Sequence, residues 1–157
     1  MEAGYGELLV ESGFQVTRPA ARASYREPRF ARTGRQAKLN RMYIAYLTPL
    51  ENAVIDAIVQ GQPQSEQCLW DQLRQSELRS RERNGYGFFT NLLAPEHVSS
   101  CPNLKRTLLA SGLVGGELCG FILWIKNGKI DFLEGYPLGG ESWPTNETFE
   151  AISLNHS

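Results

Sequence analysis

Glu134 sits in the run Phe132-Leu133-Glu134-Gly135-Tyr136, a carboxylate among aromatic and aliphatic neighbours. A carboxylate held on an apolar face must find hydrogen bonds or a cation, or its pKa rises. That environment would suit a catalytic acid or base. It would equally suit a structural carboxylate bonded to backbone amides beside the Gly135 break, and the structural role is favoured because ion-pair networks also perturb carboxylates. His97 and Cys101 share one loop with Glu96. A Cys–His nucleophile pair would need the two brought together in space. A zinc site needs about four ligands, and Cys68, Cys119 and His156 offer no matching pair spacing. No metal and no cofactor is therefore expected. Gly115-Gly116 and Gly139-Gly140 do not lead into a capped helix carrying Lys and Ser/Thr, so they read as turn glycines and not as phosphate cradles.

The segment Leu133-Glu134-Gly135-Tyr136-Pro137-Leu138-Gly139-Gly140-Glu141-Ser142-Trp143-Pro144 is dense in aromatics, glycine, proline and acids. A loop of that composition on a rigid sheet suits partner binding, with Trp143 and Tyr136 as anchors and Glu141 as the charged element. The alternative, given equal weight, is that Trp143 folds back and plugs the open end of the sheet.

Those residues must be positioned by a β-hairpin over 119–136. Asn127-Gly128 lies between two apolar alternating runs, and a type I′ turn needs φ > 0 at both central positions. A two-residue loop pairs Ile125 with Ile130, Trp124 with Asp131, Leu123 with Phe132, Ile122 with Leu133, Phe121 with Glu134 and Cys119 with Tyr136. Side chains alternate across a sheet. One face then carries Cys119, Phe121, Leu123, Ile125, Ile130, Phe132, Glu134 and Tyr136 and is the expected core. The other carries Gly120, Ile122, Trp124, Asp131 and Leu133, and is apolar enough to call for a cover such as a partner chain or a second copy.

Upstream, Thr48-Pro49-Leu50-Glu51 has the form of a capping box with proline in the first turn. Leu50, Val54, Ala57 and Ile58 recur at helical spacing up to Gly61. A second helix is expected from Ser65 to about Arg83, with Leu69, Trp70 and Leu73 as its apolar stripe and Glu77 with Arg81 as an i,i+4 pair. Arg79, Arg81 and Arg83 then read as its solvated end. Residues 86–93 alternate as a strand, 95–103 form a loop, and 104–113 form another strand. The expected fold is α+β: two N-terminal helices followed by a four-stranded antiparallel β-meander.

Apolar content of 41% and charged content of 21% over 157 residues suit one domain with its own core. No apolar run reaches membrane-spanning length. Three widely spaced cysteines in a chain of this size imply reduced thiols and a cytoplasmic protein. Charge is uneven: residues 1–41 hold eight Lys/Arg against four Asp/Glu, whereas 42–157 hold eight against thirteen. Residues 1–41 read as a flexible basic arm, 42–144 as the single α+β domain, and 145–157 as a C-terminal tail.

The run Gly120-Phe121-Ile122-Leu123-Trp124-Ile125, with Gly128-Lys129-Ile130-Asp131-Phe132-Leu133-Glu134-Gly135-Tyr136 and Trp143-Pro144, resembles a pattern in small bacterial single-domain proteins of the kind found as immunity partners of toxins. The likeness covers about 30 residues. The resemblance implies a cytoplasmic binding protein and carries no catalytic residues with it. The first functional expectation is therefore a non-enzymatic protein-binding module, immunity-like, that uses Trp124, Tyr136, Glu141 and Trp143. The acidic balance of 42–157 would suit a basic partner such as a nuclease toxin. The alternatives are a small enzyme centred on Glu134, with Tyr136 or His97 assisting, and, ranking last, nucleic-acid binding through the arm.

Overall fold

A computed structural model describes residues 43–155. The arm expected over 1–41 and the terminal His156 lie outside the described residues. Two helices, α1 (Pro49–Gln60) and α2 (Glu66–Gln75), accompany β1 (Glu77–Arg83), β2 (Phe88–Leu93), β3 (Thr107–Val114), β4 (Glu117–Lys126), β5 (Lys129–Pro137) and β6 (Phe149–Leu154). The strands form one antiparallel sheet in the order β1-β2-β5-β4-β3-β6. The α+β class and the antiparallel sheet agree with expectation. The sheet has six strands and not four, and its order is not that of a meander, because β5 lies between β2 and β4.

The start of α1 is built as its sequence dictates. Thr48 Oγ1 accepts from the Glu51 amide at 3.1 Å, and Glu51 Oε2 accepts from the Thr48 amide at 2.7 Å. Val54, Ile55 and Ile58 of α1 and Leu69 and Leu73 of α2 are fully buried, as are Phe121, Leu123 and Leu133 of the sheet. These helix faces pack on the sheet, α1 against β3, β4 and β6 and α2 against β5.

The second helix stops earlier than expected. Ser76 turns extended, and residues 77–83 become an edge strand. Arg81 therefore does not pair with Glu77. Its guanidinium donates from Nε to Glu51 Oε1 at 3.1 Å and from Nη2 to Glu51 Oε2 at 2.7 Å. Strand pairing with β2 supplies the backbone partners that a longer helix would have found within itself. The expected C-terminal tail is corrected as well, since 149–154 pairs with β3.

The hairpin turn is as expected, with Asn127 and Gly128 at φ 53° and 75° and Ile125 opposite Ile130. Beyond that pair the register differs by one residue. Asp131 is an extra residue on β5, a β-bulge, so Trp124 faces Phe132, Leu123 faces Leu133, Ile122 faces Glu134, Phe121 faces Gly135, Gly120 faces Tyr136 and Cys119 faces Pro137. A one-residue slip exchanges the two faces. Leu133 moves into the core, while Phe132, Glu134 and Tyr136 move to the opposite face.

Cys68 and Cys101, expected as free thiols, form a disulfide with Cα atoms 5.8 Å apart at a sequence separation of 33. It ties the start of α2 to the 95–103 loop. Gln72 reinforces the junction: Nε2 donates to the carbonyls of Ser99 (2.8 Å) and Gly128 (3.0 Å), and Oε1 accepts from the Ile130 amide at 3.0 Å. Cys119 is free and buried, and burial followed by the nearby Glu117 charge pushes its thiol up to about 11. Closing a loop of that length constrains the unfolded chain, so Cys68→Ser/Cys101→Ser should cost about 2–4 kcal/mol. Urea unfolding of parent and variant measures it; equal midpoints would show that the bond adds nothing.

Candidate functional site

Both helices cover one face of the sheet, and the bulge at Asp131 decides what the other face displays. Along β5 it carries Phe132, Glu134 and Tyr136; along β4, Ile122 and Trp124; along β2, Phe89 and Asn91; and along β3, Leu109. All of these are half-buried and none belongs to the core. The Trp124 and Phe132 rings stack with centroids 5.4 Å apart at 18°, and Phe89 lies 6.1 Å from Phe132. Tyr136 lies over Gly120, where a Cβ would come within 2.7 Å of the tyrosine ring. The absence of a side chain at position 120 is what lets that ring approach the strand so closely.

Glu134 stands in the midst of this aromatic surface, opposite Phe89 on one side and Ile122 on the other. Its Oε2 accepts a hydrogen bond from Trp124 Nε1 at 3.0 Å. Oε1 has no hydrogen-bond partner among the described residues, and no Lys or Arg among them pairs with the carboxylate. The expectation that Glu134 shares a face with aromatics holds, but the face is the open one and not the core. A proton-transfer role calls for a second group within hydrogen-bond reach of the reacting proton. The indole N–H is the group that reaches this carboxylate. What the arrangement offers is an aromatic, apolar surface with an acceptor oxygen among the rings. It can hold a guanidinium or ammonium between ring faces and carboxylate, or the flat side of another protein.

The remaining candidates fall elsewhere. Trp143 is buried, edge-on to Phe88 at 5.2 Å and to Phe121 at 6.3 Å, and its Nε1 donates to Glu147 Oε2 at 2.8 Å. It closes the end of the core and is no surface anchor. Glu141 is exposed on the loop before it. His97 is exposed and contacts Gln75 Oε1 at 3.3 Å, and the Cys101 sulfur is committed to Cys68, so the two do not make a nucleophile pair. The Glu96 carbonyl accepts from Lys129 Nζ at 2.9 Å. Among the described residues no three His, Cys, Asp or Glu side chains gather as metal ligands would.

A second carboxylate is more deeply held. Glu51 is 1% exposed and takes hydrogen bonds from Arg81, the Thr48 amide and the Thr90 hydroxyl. Burial pushes its pKa up, but Arg81 and these donors outweigh burial, and the carboxyl titrates below its ordinary value. Tyr46 borders it, pushed up to about 12 by burial and by the Glu51 charge, and donates to the Leu73 carbonyl at 2.9 Å. Both Glu51 carboxylate oxygens have internal partners, which marks a structural ion pair.

Phe89 and Phe132 are the aromatic members of the open face that sequence reasoning left out of the candidate site. The signal that would have found them is the cost of a carboxylate on a core face: moving the register by one residue takes Glu134 out of the core and brings Phe132 out beside Trp124. No family model, no curated protein and no solved structure matches this chain, so the open aromatic face and the Glu134 carboxylate stand on their own geometry.

Proposed function

We propose that this chain is a non-enzymatic protein-binding module whose open sheet face receives a basic residue of its partner. The observation that carries this reading is Glu134: a carboxylate surrounded by Trp124, Phe132, Phe89 and Tyr136, with one oxygen unpartnered and no cation paired to it among the described residues. A partner Arg or Lys on this surface would gain both a charge-assisted hydrogen bond and ring contacts. The described residues hold eight Lys/Arg against thirteen Asp/Glu. Of the eight, Arg74, Arg81 and Arg83 are paired internally. That acidic balance of the described residues suits a basic partner. A second copy is disfavoured as the occupant, because an isologous contact would set Glu134 near its own symmetry mate.

The narrower form of the proposal is an immunity-type protein neutralising a basic toxin, which the hairpin resemblance supports. The cytoplasmic expectation rested on reduced thiols. With Cys68 bonded to Cys101 an oxidising compartment fits the chain better, and no helix among the described residues is long and apolar enough to cross a membrane. The nucleic-acid alternative rests on residues 1–41, outside the described residues.

The test is capture of a basic protein from source cells by the full chain, followed by affinity measurement with purified partner. Trp124→Ala should weaken binding by about 2 kcal/mol or more, as a central aromatic anchor does. Glu134→Lys should abolish it, while Glu141→Gln, off the face, should change it little. A partner that binds Trp124→Ala and Glu134→Lys as tightly as the parent would sink the assignment to this face.

A further inference from the structure

A separate surface lies at the far edge of the sheet. β6 is the last strand in the order, paired on one side with β3 and, among the described residues, with no strand on the other. Between its open edge and α1 runs a groove of about 680 Å³, floored by Ala53 and Ala57 of α1 and walled by residues 149–154. The two outer edges of the sheet formed by the described residues are unlike. β1 presents Glu77, Arg79, Glu82 and Arg83, charges that deter a further strand. β6, Phe149-Glu150-Ala151-Ile152-Ser153-Leu154, has a single charge.

Within the groove Asp56 stands one turn from Gln60, whose Nε2 donates to Asp56 Oδ2 at 2.6 Å. The other oxygen, Oδ1, is buried and has no hydrogen-bond partner. A buried acceptor left unsatisfied is uncommon and marks a place where a donor is missing. Among the described residues the charged ones lining the groove are Asp56 and Glu150, and no Lys or Arg lines it.

We infer that the α1–β6 groove binds an extended, cationic peptide segment of another protein, which adds to the open edge of β6 and places a Lys or Arg on Asp56. Strand addition supplies main-chain hydrogen bonds, and alternate side chains of the segment enter the groove. The small side chains of Ala53 and Ala57 leave room for them. A second copy is the poorer occupant. Its own β6 and α1 would bring Glu150 and Asp56 toward Glu150 and Asp56 with no cation between. The edge is also bulged: Ser111 faces Ser153 and Leu113 faces Glu150, with Ala151 at φ 56° and Ile152 seated on Gly112. A bulge resists long, flat self-pairing and still leaves backbone groups for a short strand. This inference does not rest on the open aromatic face, which lies elsewhere on the sheet.

The experiment titrates the full chain with a capped peptide of alternating valine and lysine and follows backbone amide shifts. The expected result is saturable shifts confined to 149–154 and the neighbouring turns of α1. The same peptide N-methylated at alternate residues, unable to pair along an edge, should not bind. The valine–glutamate counterpart should not bind either, and Asp56→Asn should weaken the lysine peptide about tenfold. Equal binding of the N-methylated or the glutamate peptide overturns the inference, as do shifts confined to Trp124, Phe132 and Glu134. Sedimentation showing self-association through β6 would give the edge to a second copy and overturn it too.

Discussion

Leu133→Glu should prevent stable folding, whereas Glu134→Leu, its immediate neighbour, should leave stability within about 1 kcal/mol of the parent. Leu133 is fully buried beneath the helices and paired with Leu123. Removing its side chain costs about 2–5 kcal/mol in lost burial and cavity. A glutamate in its place adds an unpaired buried charge, a further several kcal/mol. A small domain has about 5–15 kcal/mol in all, so the sum takes most or all of it. Glu134 gives up one indole hydrogen bond on an open face, and a leucine there covers more of the ring surface than it exposes. Urea unfolding followed by circular dichroism reads both. The pair of variants reports the register directly, because without the bulge at Asp131 the two residues exchange faces and the outcomes exchange with them. A stable Leu133→Glu beside an unfolded Glu134→Leu would refute the bulged pairing.

The second large effect is expected at Arg81. Arg81→Met should cost about 3–5 kcal/mol, the range for breaking a buried pair from one side. It removes two hydrogen bonds to Glu51 and one of 3.2 Å to the Tyr46 carbonyl, leaving a carboxylate that is 1% exposed without its cation. Glu51→Gln/Arg81→Met should recover part of the loss, since the uncompensated charge is then gone. The pH dependence separates this cause from simple loss of packing. In the parent the Glu51 carboxyl is held below its ordinary 4.5. Its contribution is fully present above that value and is lost as pH falls through the lowered folded-state value. In Arg81→Met burial is opposed by the Thr48 and Thr90 donors alone, so the carboxyl rises and the acid-side loss of stability shrinks or reverses. An unchanged acid slope in the variant would show that Arg81 does not govern Glu51.

The features legible in the sequence are those whose energetics are local. The Thr48–Glu51 box closes within a single turn, and the Asn127-Gly128 turn depends on two residues that tolerate positive φ. The end of α2 was not legible. Residues 77–83 carry charges compatible with either a helix or an exposed strand, and the choice falls to β2 and to Glu51, partners 5 to 30 residues away in the chain. Residues 149–154 look like a tail because their outward side chains are exposed; their pairing with β3 makes them a strand. The Cys68–Cys101 bond needs only that two distant Cα atoms approach, which spacing does not encode.

The candidate site divides along the same line. The sequence by itself determined that Glu134, Trp124 and Tyr136 belong to one hairpin, that a carboxylate would stand among aromatics, and that two faces would alternate. Tertiary structure decided which face. Ile130 and Leu133 are both wanted by the helices, and they are three residues apart, which a strand of period two cannot bury together. Asp131 takes up the mismatch as a bulge. That single extra residue sends Glu134 outward beside Trp124 and Phe132, where its carboxylate stays clear of the core and is open to a partner.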